Sequence, residues 1–320
     1  MSDKIDAVIT DIIRENDDIL RIELADANGA ELPQFECGAH IDLHLPNGLI
    51  RQYSLWAAPG DTSRYHIAVK REVSSRGGSE AVHTMLSIGD SLKISAPRNN
   101  FGLDPDGSHA ILLAAGIGIT PLMSMALYLQ ANGKPFELHY FSRAPEVTAF
   151  ADLIANSALA ENTIHYYGQS ADAVRSTLQQ ILQSRPTSTH VYLCGPSPFI
   201  DAVKYITAAH WPENTVHFEH FSAEAPVLTA GGDGFELYLA QSDKTFTIPS
   251  DQSIADVLTT NGIEVELSCE QGICGTCLTR VVDGIPDHED MYLSDAEHAL
   301  NDQMTICVSR CKTPRLVLDL

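Results

Sequence analysis

Three cysteines stand in the short stretch Cys269-Glu-Gln-Gly-Ile-Cys274-Gly-Thr-Cys277, and a fourth, Cys307, follows 30 positions later. A C-x4-C-x2-C loop with one distant thiol is the ligand pattern of a 2Fe–2S cluster, in which four thiolates hold two irons. The competing reading is a structural zinc site. Such sites usually come as two separate two-cysteine knuckles, whereas here one such pair, Cys274 and Cys277, shares its loop with a third cysteine. Gly272 and Gly275 fall where the loop must curl, giving positive φ and letting backbone N–H groups approach sulfur without a side chain in the way. The metal ligands are therefore expected to be Cys269, Cys274, Cys277 and Cys307.

From Ser268 to Cys277, with Cys307, the sequence resembles the loop of plant-type ferredoxins, and that resemblance covers residues 235–320. Such a cluster carries one electron at a time, so the rest of the chain has to supply that electron. At 320 residues with 44% hydrophobic content, the chain has room for two or three domains. No run approaches the roughly 18 apolar residues of a membrane span, and the acidic start, Met1-Ser-Asp-Lys-Ile-Asp, differs from a basic leader. A cytoplasmic location with no membrane partner is expected. Cys37, Cys194 and Cys311 show no pairing scheme, which suits a reducing compartment.

A formal charge of −22 argues against a nucleic-acid partner, because phosphate backbones are bound through Lys and Arg clusters. The surplus is steepest in residues 235–320, with 15 acidic against 5 basic side chains. That balance either solvates the surface or steers a partner toward the cluster.

Residues 7–13, 19–24, 40–45, 51–56 and 65–69 alternate in polarity between turn signals such as Asn28-Gly29 and Asn47-Gly48. They predict an antiparallel barrel, interrupted by a helix over 79–86 and resumed by a strand over 91–96. Within it, Arg51-Gln-Tyr53-Ser54 resembles the R-x-Y-S signature of ferredoxin-reductase-type flavin domains. By that resemblance Arg binds the flavin phosphate, Tyr packs near the isoalloxazine, and Ser hydrogen-bonds near the redox-active nitrogen. Arg76-Gly77-Gly78-Ser79 opens the helix, where free N–H groups and a guanidinium favour a phosphate. Ser79 reads equally as a plain N-cap.

The pattern changes at Ala110. Ile111-Leu-Leu-Ala-Ala115 is a continuous apolar run, as in a strand buried on both faces of a parallel sheet. It runs into Gly116-Ile-Gly118-Ile-Thr120-Pro121 and a helix over 122–130, an order that sets backbone N–H groups against a pyrophosphate. The six-residue dinucleotide fingerprint is absent. Further strands are expected over 136–141 and 190–194, the second leading into Cys194-Gly195-Pro196, and a last one over 215–221 ends at Phe221. Cys194 reads either as a buried small apolar group or as a neighbour of the nicotinamide, the position it takes in ferredoxin-reductase nucleotide domains. A linker rich in small residues and glycine follows over 225–234, then a hairpin over 235–240 and 244–248 and a helix over 253–261.

In order and motifs, the whole chain resembles phthalate dioxygenase reductases and the related vanillate O-demethylase reductases. The resemblance implies a flavin-binding antiparallel barrel over 1–103, an α/β parallel-sheet nucleotide domain over 104–224, and an α+β, β-grasp-like ferredoxin over 235–320. It implies FMN held by Arg51, Tyr53, Ser54, Arg76, Gly77, Gly78 and Ser79, with Ala68, Val69 and Lys70 beside the ring. Gly116, Gly118, Thr120, Cys194, Gly195 and Pro196 match the nicotinamide side, with NADH the donor, and Phe221 is a further cofactor-binding candidate. The acceptor it implies is the Rieske centre of a separate terminal oxygenase. Hydride from NADH brings two electrons and the cluster takes one, so a flavin belongs between them. No side chain is needed for acid–base catalysis, and none is nominated. The alternatives are a reductase serving a haem or quaternary-amine monooxygenase, and a free flavin reductase.

Overall fold

Alternating polarity in the first hundred residues builds six antiparallel strands, β1 (Ile5–Arg14), β2 (Ile19–Asp26), β3 (His40–His44), β4 (Ile50–Ser54), β5 (Tyr65–Lys70) and β6 (Ser91–Ile94). They hydrogen-bond in the order β4-β3-β6-β1-β2-β5, and their inward side chains, among them Leu24, Ile41, Leu43, Ile67 and Ile94, are fully buried. The computed structural model describes residues 4–72, 76–183, 188–221 and 234–320. The chain divides into two compact units, residues 1–221 and 222–320. The linker expected over 225–234 lies outside the described residues except for Gly234.

The strand expected to reach Trp56 stops at Ser54. The cause is the curl of the sheet: the Trp56 N–H donates to His66 O of β5 at 3.0 Å, joining the two edge strands. Helix α1 (Gly78–Met85) crosses between β5 and β6, and its N-cap is Gly77 at φ 86°, so Ser79 is not the cap. Ser79 Oγ instead accepts the Glu72 N–H at 3.1 Å.

The second sheet of this unit is parallel, formed by β7 (His109–Ala115), β8 (Phe136–Ser142), β9 (Thr163–Tyr167), β10 (Thr189–Cys194) and β11 (Val216–Glu219). Its helices are α2 (Ile119–Ala131), α3 (Ala151–Ala155), α4 (Ala171–Ile181) and α5 (Ser197–Thr207). Strand order is β11-β10-β7-β8-β9. The chain runs outward from β7 through β8 to β9, then returns to lie on the other side of β7 as β10. That reversal creates a switch point at the carboxyl ends of β7 and β10, where open α/β sheets bind ligands. Strand β11 ends at Glu219, short of Phe221, because its partner β10 ends at Cys194. One hydrophobic core spans the barrel and this sheet, uniting Trp56, Ala68 and Phe101 with Ala114, Ile119, Leu122, Tyr192 and Cys194.

The second unit has a five-stranded mixed sheet of β12 (Phe235–Leu239), β13 (Lys244–Ile248), β14 (Leu278–Asp283), β16 (Gln303–Thr305) and β18 (Arg315–Leu318), hydrogen-bonded in the order β13-β12-β18-β14-β16. A two-residue pair, β15 (Pro286–Asp287) with β17 (Arg310–Cys311), flanks it. Ser253 and Asp256 form a capping box that starts α6 (Ile254–Thr260), and its apolar face, Ile254, Val257 and Leu258, packs with Leu237, Leu239 and Leu316. A second capping box, Ser294 with Glu297, starts α7 (Asp295–Leu300).

Candidate functional site

The four expected thiols converge. Cys269, Cys274 and Cys277 are buried and Cys307 is partly buried. They meet as two pairs, Cys269 with Cys274 and Cys277 with Cys307. In each pair a hydrogen bond between the thiols lowers the pKa of one sulfur, Cys274 or Cys277, and raises that of its partner. Backbone amides turn toward the sulfurs: Gln271 N–H donates to Cys269 Sγ at 3.3 Å and Thr276 N–H to Cys274 Sγ at 3.5 Å. Gly272 and Gly275 have φ of 68° and 70°. A Cβ on Gly275 would lie 2.3 Å from the Tyr292 ring, and one on Gly272 would lie 2.5 Å from Val308 Cγ2. Four soft donors in a tight, amide-lined loop fit a 2Fe–2S cluster.

In the first unit, β4 carries Arg51, Tyr53 and Ser54, and the start of α1 lies against it. A Cβ on Gly78 would sit 2.6 Å from Arg51 Cγ, so the glycine is what allows the Arg51 side chain to cross the first turn of the helix. Arg51 Nη2 donates to Arg76 O at 3.4 Å and Nη1 to Ile50 O at 2.7 Å. Among the described residues no side chain caps the amino end of α1, so a guanidinium and the first-turn backbone amides share one small region, a combination suited to phosphate. Burial pushes the Tyr53 hydroxyl pKa upward, keeping it neutral. Strand β5 splits its three candidates. Ala68 belongs to the core shared with the nucleotide sheet, while Val69 points into the barrel core and has only backbone to offer a ligand. Lys70 is held by Glu72 at 2.6 Å.

The two glycine turns expected on the nucleotide side meet at the switch point. Gly116–Gly118 forms a single 3-10 turn between β7 and α2, and Pro196 caps α5 just after β10. A Cβ on Gly118 would lie 2.3 Å from Cys194 O, and one on Gly195 would lie 2.7 Å from Ala115 Cβ. Thr120 Oγ1 donates back to Ile117 O at 3.1 Å, pinning the turn. Cys194 is fully buried and its thiol pKa is raised by that burial, so it is a neutral group here. Phe221 lies past the end of β11, 38% exposed.

Glu219 was not singled out in the sequence. Register places it beside Cys194, at the carboxyl edge of the sheet. Among the described residues its Oε2 is buried without a hydrogen-bond partner, and burial raises its pKa from 4.5 to about 8. A carboxyl with a raised pKa binds its proton more tightly in the folded protein, so its stabilising contribution is whole below 4.5 and is lost as the pH rises through about 8. Glu219→Gln is neutral throughout and should remove that decline. In denaturant titrations between about pH 6 and about pH 9, the parent protein is expected to lose more stability than the variant. Equal losses would mean that Glu219 is already ionised when folded.

The model of the 2Fe-2S iron-sulfur cluster binding domain matches residues 237–312. Vanillate O-demethylase oxidoreductase of Pseudomonas sp. strain HR199 is 44% identical over 95% of this chain and 96% of its own. The carnitine monooxygenase reductase subunit of Escherichia coli K12 is 40% identical over 94% of each chain. The solved structure of phthalate dioxygenase reductase, described as modular for electron transfer from pyridine nucleotides to 2Fe–2S, superposes with a TM-score of 0.77 at 39% identity, over 99% of this chain and 98% of that one. Among the described residues no helix is long and apolar enough to cross a membrane. The chain is an oxidoreductase and belongs to the family that contains vanillate O-demethylase oxidoreductase and phthalate dioxygenase reductase.

Proposed function

We propose that this protein is the cytoplasmic reductase of a two-component aromatic oxygenase, taking electrons from NADH and delivering them singly to the Rieske centre of a terminal oxygenase. The observation that carries this reading is the presence, on one chain, of a switch-point crevice built from two abutting glycine turns and a four-thiol loop. FMN between them supplies the step from two electrons to one.

Arg51 and the first-turn amides of α1 hold the flavin phosphate, and Tyr53 and Ser54 line the ring with the backbone of β5. Gly118 and Gly195 let the two turns abut so that their edge receives the nicotinamide, with Cys194 as its neutral wall. Glu219, protonated by burial, presents a hydrogen-bond donor there instead of a fixed negative charge. Cys269, Cys274, Cys277 and Cys307 hold the cluster. Cluster potentials of this type lie near −400 mV and Rieske centres at about −150 mV or above, so electrons leave downhill.

Anaerobic mixing with NADH and a Rieske oxygenase tests the reading: the oxygenase centre is expected to become reduced, and faster with NADH than with NADPH. Arg143, exposed just beyond β8, is the group able to meet a 2′-phosphate. Arg143→Ala should lower turnover with NADPH by about tenfold and leave NADH turnover within about twofold. A parent protein that prefers NADPH would make Arg143 its reader and overturn the choice of donor.

A further inference from the structure

Behind the cluster loop lies a second group of metal-type ligands. Asp290 has a fully buried side chain, and its backbone lies directly behind Gly272: a Cβ there would be 3.0 Å from Asp290 Cα. The Met291 N–H donates to Gly272 O at 2.9 Å. Asp290 Oδ2 accepts the Leu293 N–H at 2.9 Å. The other oxygen, Oδ1, faces His298 Nε2 at 3.3 Å and His288 Nδ1 at 3.6 Å. One nitrogen of each imidazole and a carboxylate oxygen lie within 4.8 Å of one another.

His298 Nε2 is within hydrogen-bonding reach of Oδ1, which also accepts from Ser309 Oγ at 3.3 Å, while the 3.6 Å to His288 is long for a hydrogen bond, which favours about 2.7–3.2 Å. The two separations, 3.3 and 3.6 Å, lie near the ligand-to-ligand edge of a tetrahedral zinc ion, about 3.3 Å for bonds of about 2.0–2.1 Å. His288 supplies a second, independent observation. Its side chain is 8% exposed, and among the described residues neither buried ring nitrogen has a partner in full hydrogen-bonding geometry, although the side chains of Asp290 and Asn301 lie near enough to interact with the ring. A buried imidazole left so is costly, and coordination to a cation removes the cost. The other His-and-Asp group, Asp104 with His190 and His217, differs: its two imidazoles already hydrogen-bond each other at 2.9 Å.

We propose that His288, Asp290 and His298 bind a divalent cation of zinc's class, leaving its fourth position to water. The ion would tie the segment after β15 to α7 and brace the wall of the cluster loop at Gly272. Its role is structural and separate from the four thiolates.

The test uses full-length protein carrying its cluster, equilibrated with excess ZnSO4 and freed of loose ion on a chelating column, with zinc and iron counted together. One zinc beside two irons per chain is expected, with a zinc-dependent rise in Tm. His298→Gln, on the partly exposed partner, should lose zinc affinity by at least about tenfold while keeping both irons and the visible spectrum. His217→Gln should leave zinc binding unchanged. Zinc absent from the parent protein, zinc undiminished in His298→Gln, or zinc gained only as iron is lost would each overturn the assignment.

Discussion

Cys274→Ala is expected to strip the cluster from the purified protein and to divide its activities. NADH-driven reduction of ferricyanide should stay within about twofold of the parent, because that acceptor can draw from the flavin, and the residues proposed to hold it all lie in the first unit. Reduction of cytochrome c or of a Rieske oxygenase should fall at least about tenfold, toward background. Cys274 is buried in the loop and paired with Cys269, so its loss removes that thiol partner and leaves an iron one ligand short. The two units have separate cores, and the substitution touches only that of the second. Iron content, the visible spectrum and the two acceptor assays decide the matter together. If a cluster-free variant still reduced the oxygenase at the parent rate, the thiol loop would be off the electron path and the protein would be a flavin reductase.

The residues legible in the sequence are those whose chemistry is local. Cys269 to Cys277 advertise themselves because spacing and glycines lie within one loop, and Ile111 to Ala115 because a strand buried on both faces has no polar positions to break the run. Strand β9 escaped for the opposite reason: Thr163–Tyr167 is a half-exposed edge, mixing histidine and tyrosine in place of aliphatics. The pairs β15 and β17 are two residues each, too short for any periodicity to register. Glu219 was hidden by distance. Nothing adjacent to it distinguishes a buried carboxyl from a solvated one, and only the pairing of β11 with β10 brings it beside Cys194. The His288, Asp290 and His298 group is concealed likewise, since α7 must fold back before the third ligand arrives.

Gly118→Ala should be the most damaging change at the two glycine turns of the switch point for hydride transfer, and the reason separates it from its neighbour Gly116. Gly118 has φ −62° and ψ −2°, a conformation open to any residue, so what excludes a side chain is space. An added Cβ would meet Cys194 O at 2.3 Å and Gly195 N at 2.8 Å, backbone atoms of the facing turn that cannot swing aside. Relief requires the two turns to part by something on the order of 1 Å, and a misplacement of that size costs about a hundredfold in a reaction that depends on alignment. Overpacking adds roughly 1–3 kcal/mol of lost stability. Gly116 is the reverse case, with φ 56° and nothing within 4 Å of a built Cβ. There the demand is conformational, and Gly116→Asn, whose side chain tolerates the left-handed region, should stay close to the parent. Single-turnover flavin reduction by NADH separates the two: slow by about a hundredfold in Gly118→Ala and near the parent rate in Gly116→Asn. Parent-like reduction in Gly118→Ala would mean that hydride transfer does not depend on the approach of these turns, and the crevice between β7 and β10 would lose its claim to the nicotinamide.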